Sequence, residues 1–403
     1  MLRIIRNEIE GKKELERIGV NKEAISIMLP KMFHLNIKFK DVPPQDAIIL
    51  KQEMLSIGGD TAISEKALPP YSSKTDVLLM GNEKQIKILA NKLKKQYKRL
   101  HKLGEEIENI IENIRKKTEI YIGKRRFEFG KKTYVMGILN VTPDSFYNGG
   151  KYFSIEEAIK RAKQIEKEGA DIIDVGGEST RPFSKRIDEK EEMERVLPII
   201  EEIKKEIKIP VSIDTYKPKV AEKAIEKGAD MVNDIMALLK ENMADVVKEY
   251  NVPVCIMHMK GTPENMQKIA SYEDVVEEIY SFLKNRIEFA ISSGIDENKI
   301  IIDPGIGFGK RTGSGIEDNC EIISRLMEIK SIGKPVLIGI SRKTFIGNIT
   351  SSPVNERLEG SLGAEAVAIA NGADIIRCHD VYATKKMAKI VDAIVRGVHQ
   401  PEE

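Results

Sequence analysis

The chain has 403 residues, 41% hydrophobic and 32% charged, the balance of a globular protein with a large core and room for two domains. Lys and Arg number 65 against 63 Asp and Glu, so the formal charge of +2 excludes the broad cationic field of a nucleic-acid binder. The three cysteines, Cys255, Cys320 and Cys378, are odd in number and too far apart for a short metal motif. With no signal-peptide core after Met1 and no apolar run near the ~20 residues of a membrane span, a cytosolic enzyme is expected.

Residues 1–118 are expected to form a small α+β domain without a catalytic cluster. Short strands are predicted at Met1–Arg6, Phe33–Phe39 and Asp76–Met80, and helical spacing runs over Asp46–Ile57 and Glu83–Leu100. A charged helix, Leu103–Lys116, carries Ile107, Ile110, Ile111 and Ile114 on one face, which must pack on this domain or on the next one. Gly58-Gly59-Asp60 reads as a turn. The cations from Lys92 to Lys102 read as a solvated helix face, because Tyr97 is the only aromatic among them.

From Glu119 the pattern becomes periodic. Alternating runs at Glu119–Ile122 and Arg126–Phe129 flank Gly123-Lys124-Arg125 and read as a hairpin. Eight apolar segments come next: Tyr134–Leu139, Asp171–Val175, Pro210–Ile213, Met231–Ile235, Pro253–Met257, Ile300–Asp303, Pro335–Ile340 and Asp374–Arg377. Helical patterns separate them, clearest at Ser154–Glu168, Glu189–Ile207, Lys217–Lys227, Tyr272–Ser293 and Ala364–Asn371. Glu168-Gly169-Ala170-Asp171, Lys227-Gly228-Ala229-Asp230 and Asn371-Gly372-Ala373-Asp374 are helix C-caps running into strands. The fold class is therefore α/β: a (β/α)8 TIM barrel over residues 119–403 with an N-terminal hairpin, preceded by the small domain. An open doubly wound sheet has the same periodicity.

A barrel carries its chemistry where the strands end. Those positions hold Asn140, then Glu178-Ser179-Thr180-Arg181, Asp214, Asn233 and Asp234, His258, Asp303 with Gly305 to Lys310, Ser341-Arg342-Lys343, and Arg377 with His379. Asp214, Asn233 and Asp303 are short acceptors on core strands, suited to a flat, donor-rich heterocycle. Arg181, Lys343, Arg377 and His379 form a cationic set that needs an anion, and Thr180 with the glycine-rich turns suits phosphate oxygens. Gly305-Ile306-Gly307-Phe308-Gly309 lacks the dinucleotide-binding spacing, and His258 and His379 lack that of a zinc site.

Gly137-Ile138-Leu139-Asn140-Val141-Thr142-Pro143-Asp144-Ser145-Phe146 and Gly177-Glu178-Ser179-Thr180-Arg181-Pro182 resemble the two signature loops of the dihydropteroate synthases, which are pterin-binding barrels. Ser212-Ile213-Asp214-Thr215, Asn233-Asp234-Ile235, Asp303-Pro304-Gly305, Ser341-Arg342-Lys343 and Arg377-Cys378-His379-Asp380 come in the family's order. The resemblance spans residues 119 to 397. It implies condensation of a dihydropterin pyrophosphate with an aryl amine, p-aminobenzoate in the folate pathway, with release of pyrophosphate. It further implies a pterin set of Asp214, Asn233, Met257, Asp303, Phe308, Lys343 and Arg377. Pyrophosphate and its Mg²⁺ would be held by Asn140, Thr180, Arg377 and His379, with Asn140 on the metal. Phe146, Thr180, Arg181, Pro182 and Thr344 would frame the amine, and catalysis would fall to Asp214, Lys343, Arg377 and His379. A cytoplasmic homodimer acting on small molecules, with no nucleic-acid or membrane partner, is the implied assembly.

Four departures from the family pattern stand out: Asn148 in place of an acid, Phe183 in place of Gly, a longer run from Lys310 to Ile316, and the N-terminal extension. Lys185, Arg186 and Arg311 add charge on the amine side, which also suits a ribofuranosylaminobenzene phosphate as amine, as in tetrahydromethanopterin synthesis. Pterin-dependent methyltransferases share the acid and amide contacts but have no pyrophosphate to release. A non-catalytic pterin binder would be expected to lose Asn140, Lys343 or Arg377.

Overall fold

The computed structural model describes residues 3–5, 8–69, 73–141, 155–178, 186–262, 265–266, 268–313 and 315–397. They divide into two compact units, Met1–Arg115 and Lys116–Glu403.

The first unit contains α1 (Glu8–Ile18), α2 (Lys22–Met28), β1 (His34–Val42), α3 (Pro44–Ser56), β2 (Asp60–Ile63), β3 (Thr75–Asn82), α4 (Glu83–Leu93) and α5 (Lys98–Arg115). Its strands form an antiparallel sheet in the order β1-β3-β2. Alternation turns Ile37, Val77 and Leu79 to one face, where they meet Leu50 and Met54 of α3, Ile86, Leu89 and Leu93 of α4, and Leu100, Ile107 and Ile111 of α5. The isoleucine stripe of α5 therefore packs within this unit.

Two expectations are corrected by these elements. Among the described residues of the strand expected at Met1–Arg6, residues 3–5 carry no strand, and the first element is α1. The run Glu83–Leu100 is two helices rather than one. An Asn82–Gln85 capping box starts α4, the chain turns after Leu93, and α5 begins at Lys98 and packs back along α4. At Gly104 a Cβ would stand 2.7 Å from the Ala90 carbonyl oxygen, so only glycine permits this approach. Several cations of the Lys92–Lys102 stretch are paired, Lys92 with Glu53, Lys94 with Glu108 and Arg99 with Asp46.

The second unit opens with the hairpin β4 (Glu119–Ile122) and β5 (Arg125–Glu128). Strands β6 (Tyr134–Asn140), β7 (Ile172–Gly176), β8 (Val211–Asp214), β9 (Met231–Asp234), β10 (Val254–Met257) and β11 (Ile300–Asp303) alternate with α6 (Ile155–Lys167), α7 (Glu189–Glu206), α8 (Pro218–Glu226), α9 (Met243–Tyr250) and α10 (Val275–Ser292). A short hairpin, β12 (Thr312–Gly313) and β13 (Ile316–Glu317), leads into α11 (Asp318–Ser324) and α12 (Leu326–Lys330). The barrel strands end with β14 (Leu337–Ile338) and β15 (Ile375–Cys378), joined by α13 (Thr344–Thr350) and α14 (Leu358–Ala370), and α15 (Val381–Val395) closes the unit.

The sheet runs β11-β10-β9-β8-β7-β6-β15-β14 with parallel pairing throughout. A parallel bridge from Ile302 to Val336 joins its two ends, so the sheet is a closed (β/α)8 barrel and not an open wound sheet. Inward residues fill it in layers. The lowest holds Met136, Ile172, Met231, Cys255, Ile301, Leu337 and Ile375, plugged from below by Ile120, Ile122, Phe127 and Phe129 of the hairpin. Two residues further along, the inward positions are Ile138, Asp174, Asn233, Met257, Asp303, Gly339 and Arg377. The strand period thus places apolar closure at one end and polar chemistry at the other.

Candidate active site at the barrel mouth

Asp214, Asn233, Met257, Asp303, Phe308, Lys343 and Arg377 come together around one cleft, completed by Ile235, Ile306 and Gly339. Met257 and Phe308 are buried walls. The Lys343 ammonium stands 4.3 Å from the centre of the Phe308 ring.

The charges in this cleft are organised around a residue the sequence reading did not single out. Asp174 is wholly buried on β7. Its Oδ2 accepts hydrogen bonds from Arg377 Nε at 2.6 Å and from Asn233 Nδ2 at 3.0 Å. Arg377 Nη2 donates to Asp214 Oδ2 at 2.7 Å. The Arg377 guanidinium is therefore committed along one edge, through Nε and Nη2, to two carboxylates. The signal for Asp174 was present: an acid two residues after Ile172 in an apolar strand lies on the inward face.

Burial pushes the Asp214 carboxyl upward, opposed by Arg377 and reinforced by the like charge of Asp174. Asp303 is raised to about 6 by burial, against the pull of the Gly305 N–H, Lys343 and Arg377. Both acids thus lie where donors from a ligand would stabilise their ionised forms.

The turn after β11 is held from beneath. Asp303 Oδ1 accepts the Gly305 N–H at 2.7 Å, and Asn319 Oδ1 accepts the Gly307 N–H at 2.7 Å. The buried Lys310 ammonium donates to the Gly305 and Phe308 carbonyls, both at 2.9 Å, and lies 3.0 Å from His258 Nδ1. Burial lowers Lys310 to about 7, and burial with Lys310 alongside lowers His258 to about 2. His258 is consequently a neutral wedge, edge-on to Phe282, and not part of the cleft lining.

At the rim, His379 is bonded through its backbone N–H and Nδ1 to Ser341 Oγ, at 3.2 and 3.1 Å. Burial, with Arg377 and Arg342 nearby, lowers its imidazole to about 4. The Asp380 carboxylate opposes this lowering, and the balance favours the neutral ring. Arg342 pairs with Asp380 through two bonds, and Asp234 caps the Met236 and Leu238 N–H groups. Glu178 holds the buried Lys217 ammonium, which also binds Glu192 at 2.6 Å. Asn140 ends β6 half-buried, and Thr344 is exposed at the start of α13.

Phe146, Thr180, Arg181 and Pro182 lie outside the described residues, as do Asn148, Phe183 and Lys185. Arg186 lies 5.8 Å from the Tyr216 ring centre. Arg311 is bonded through Nε and Nη2 to Asp318, at 3.1 and 2.8 Å. This pair ties the residue before β12 to the first residue of α11. Among the described residues no group of three or more His, Cys, Asp or Glu is arranged to hold a metal, and no helix is long and apolar enough to cross a membrane.

Residues 136–379 match a family model described as pterin binding enzyme. The dihydropteroate synthase of Clostridium beijerinckii is 48% identical over 277 residues, 68% of this chain and 99% of the relative. A solved structure of the Xanthomonas albilineans dihydropteroate synthase with 4-aminobenzoic acid has a TM-score of 0.65 at 38% identity, covering 70% of this chain and 100% of that one. A probable bifunctional folylpolyglutamate synthase/dihydropteroate synthase of Halobacterium salinarum is 36% identical over 96% of this chain and 46% of its own length, so this likeness extends into the first unit.

Proposed function

The chain belongs to the dihydropteroate synthase family of pterin-binding enzymes, and from that membership we infer the reaction at its barrel mouth. It condenses 6-hydroxymethyl-7,8-dihydropterin pyrophosphate with p-aminobenzoate and releases pyrophosphate, a step of folate biosynthesis. The observation that carries this reading is the buried acceptor set of Asp214, Asn233 and Asp303 in one narrow cleft with Lys343 and Arg377. A pterin edge rich in N–H donors satisfies these acceptors, and its ring fits between Met257 and Phe308.

Each residue's part follows from its chemistry. Asp214 and Asp303 accept pterin N–H groups and favour the positive charge that grows on the pterin methylene as its C–O bond to pyrophosphate breaks. Lys343 holds the ring from the Phe308 side. Arg377 and the imidazole of His379 donate to the departing pyrophosphate, which itself favours protonation of His379. The amine nitrogen attacks the methylene carbon and loses its proton to solvent, so no covalent enzyme intermediate is needed. Phe146, Thr180, Arg181, Pro182 and Thr344 remain the assigned amine frame.

Asn140 offers a neutral oxygen ligand at the end of β6. That donor suits Mg²⁺ arriving on a diphosphate, since this ion keeps most of its waters and substrate oxygens. When bound, it neutralises charge on the leaving group. The assigned division into residues 1–118 and 119–403 leaves every named site residue on the second part, and a cytoplasmic homodimer is the assembly the family suggests. With Arg311 paired to Asp318, p-aminobenzoate is favoured over a phosphorylated amine.

Pyrophosphate release from dihydropterin pyrophosphate, with each amine supplied separately, tests the assignment. Release with p-aminobenzoate is expected. Preference for the ribosyl amine phosphate would move the enzyme to methanopterin synthesis, and release with neither would overturn the reaction.

A further inference from the structure

We propose that Asp174 is a positioning residue, which from beneath the cleft fixes the direction of the Asn233 amide and the Arg377 guanidinium. The proposal rests on the pterin reading of the cleft. Asp174 does not line the cleft itself, yet its Oδ2 receives a hydrogen bond from each of two residues that do.

The consequence for Asn233 is chemical. An amide has a donor end and an acceptor end of nearly equal size, and rotation by half a turn exchanges them. Because Nδ2 is held on Asp174, the amide's other end, the acceptor oxygen, is the one left for a ligand. Without Asp174, Asn233 could equally present its NH₂ group to a ligand edge made of donors. Arg377 is fixed in the same way. Its Nε and Nη2 contact separate carboxylates on β7 and β8, which sets the plane of the guanidinium and leaves its other donors for the ligand.

Asp174 uses one oxygen for both bonds, and its Oδ1 is buried with no hydrogen-bond partner. An asparagine can therefore offer its single oxygen to the same two donors while removing the charge. Asp174→Asn thus separates geometry from charge, and Asp174→Ala removes both. Asp214, whose titration reports the charge, is faced by Arg377 of β15, Asp174 of β7, Glu192 of α7 and Lys343 before α13.

The test measures Kd for dihydropterin pyrophosphate across pH by calorimetry, with kcat and KM alongside, in wild type and both variants of the full chain. Thermal melting confirms that each variant is folded. Asp174→Ala is expected to weaken pterin binding by about 10- to 100-fold, the scale of a lost hydrogen bond to a charged group. Asp174→Asn is expected to keep most affinity at pH 8 but to shift the acid fall-off of binding to lower pH, because the like charge beside Asp214 is gone. Purely structural support would lower melting temperature without moving that fall-off. A folded Asp174→Ala with wild-type Kd, or an Asp174→Asn profile superimposable on wild type, overturns the proposal. Failure of wild type itself to bind dihydropterin pyrophosphate overturns the pterin reading instead, which separates the two.

Discussion

Replacing Asp303 by Asn should make the ligand-free enzyme more stable and pterin binding much weaker. Burial holds this carboxyl at about 6 against an ordinary 3.8, which corresponds to about 3 kcal/mol of disfavoured ionisation at neutral pH. The sign is set by proton binding. Between pH 4 and 6 the folded state holds a proton that the unfolded chain has released, so this group makes stability fall as pH rises, and the cost is complete above 6. Asn carries no such cost. Its Oδ1 still accepts the Gly305 N–H, so the turn after β11 stays anchored. Loss of a counter-charge for Lys343 and Arg377 offsets part of the gain, leaving about 1–2 kcal/mol, or roughly 2–8 °C in melting temperature for a domain of this size. Binding moves the other way. With Oδ1 on Gly305, the Asn Nδ2 faces the pterin as a donor where an acceptor is needed. Losing a charge-assisted bond and opposing two donors costs about 2–4 kcal/mol, or roughly 30- to 1,000-fold in Kd. Calorimetric titration with dihydropterin pyrophosphate and melting curves at pH 5 and 8 read both effects. A folded Asp303→Asn that binds within threefold of wild type would refute the argument, as would an unchanged pH dependence of melting.

Two further outcomes are expected. Gly305→Ala adds a Cβ 1.9 Å from the His258 carbonyl oxygen at a φ of +71°, so the turn must move. Stability should drop by about 2–4 kcal/mol and pterin affinity by at least tenfold, and melting and binding near wild type would count against the described turn. Glu365 is buried against Thr384 and raised to about 8 by burial, so wild-type stability should fall as pH rises from 5 to 8; Glu365→Gln should flatten that fall in melting curves without changing pterin affinity at pH 7, and parallel curves would contradict it.

Much of this enzyme was legible in its residues. The count of strand–helix units, the C-cap repeats and the hairpin before β6 are local patterns, written by backbone conformation and side-chain period, so sequence alone determined eight strand–helix units in this order, while closure of the sheet was decided by the bridge from Ile302 to Val336. Strand alternation also determined that Asp214, Asn233, Asp303 and Arg377 share the mouth, because inward positions at the ends of parallel strands must converge. The first unit was read less well. The four residues of β2 carry too little pattern, and the break between α4 and α5 depends on how the two helices pack at Gly104, a contact no window of neighbours contains.

Only the tertiary structure decided how the charges are spent. Arg377 and Arg311 have the same chemistry in the sequence, yet one bridges Asp174 and Asp214 inside the barrel and the other closes a surface turn on Asp318. His379 counts as a cation by type, but burial beside Arg377 and Arg342 lowers its pKa to about 4. Asp174 is one more strand residue until Asn233 and Arg377 are seen to converge on one of its two oxygens. Secondary structure follows from neighbours along the chain. Protonation, pairing and the direction of an amide follow from desolvation and distances of a few ångströms between residues up to 203 positions apart, which folding alone brings together.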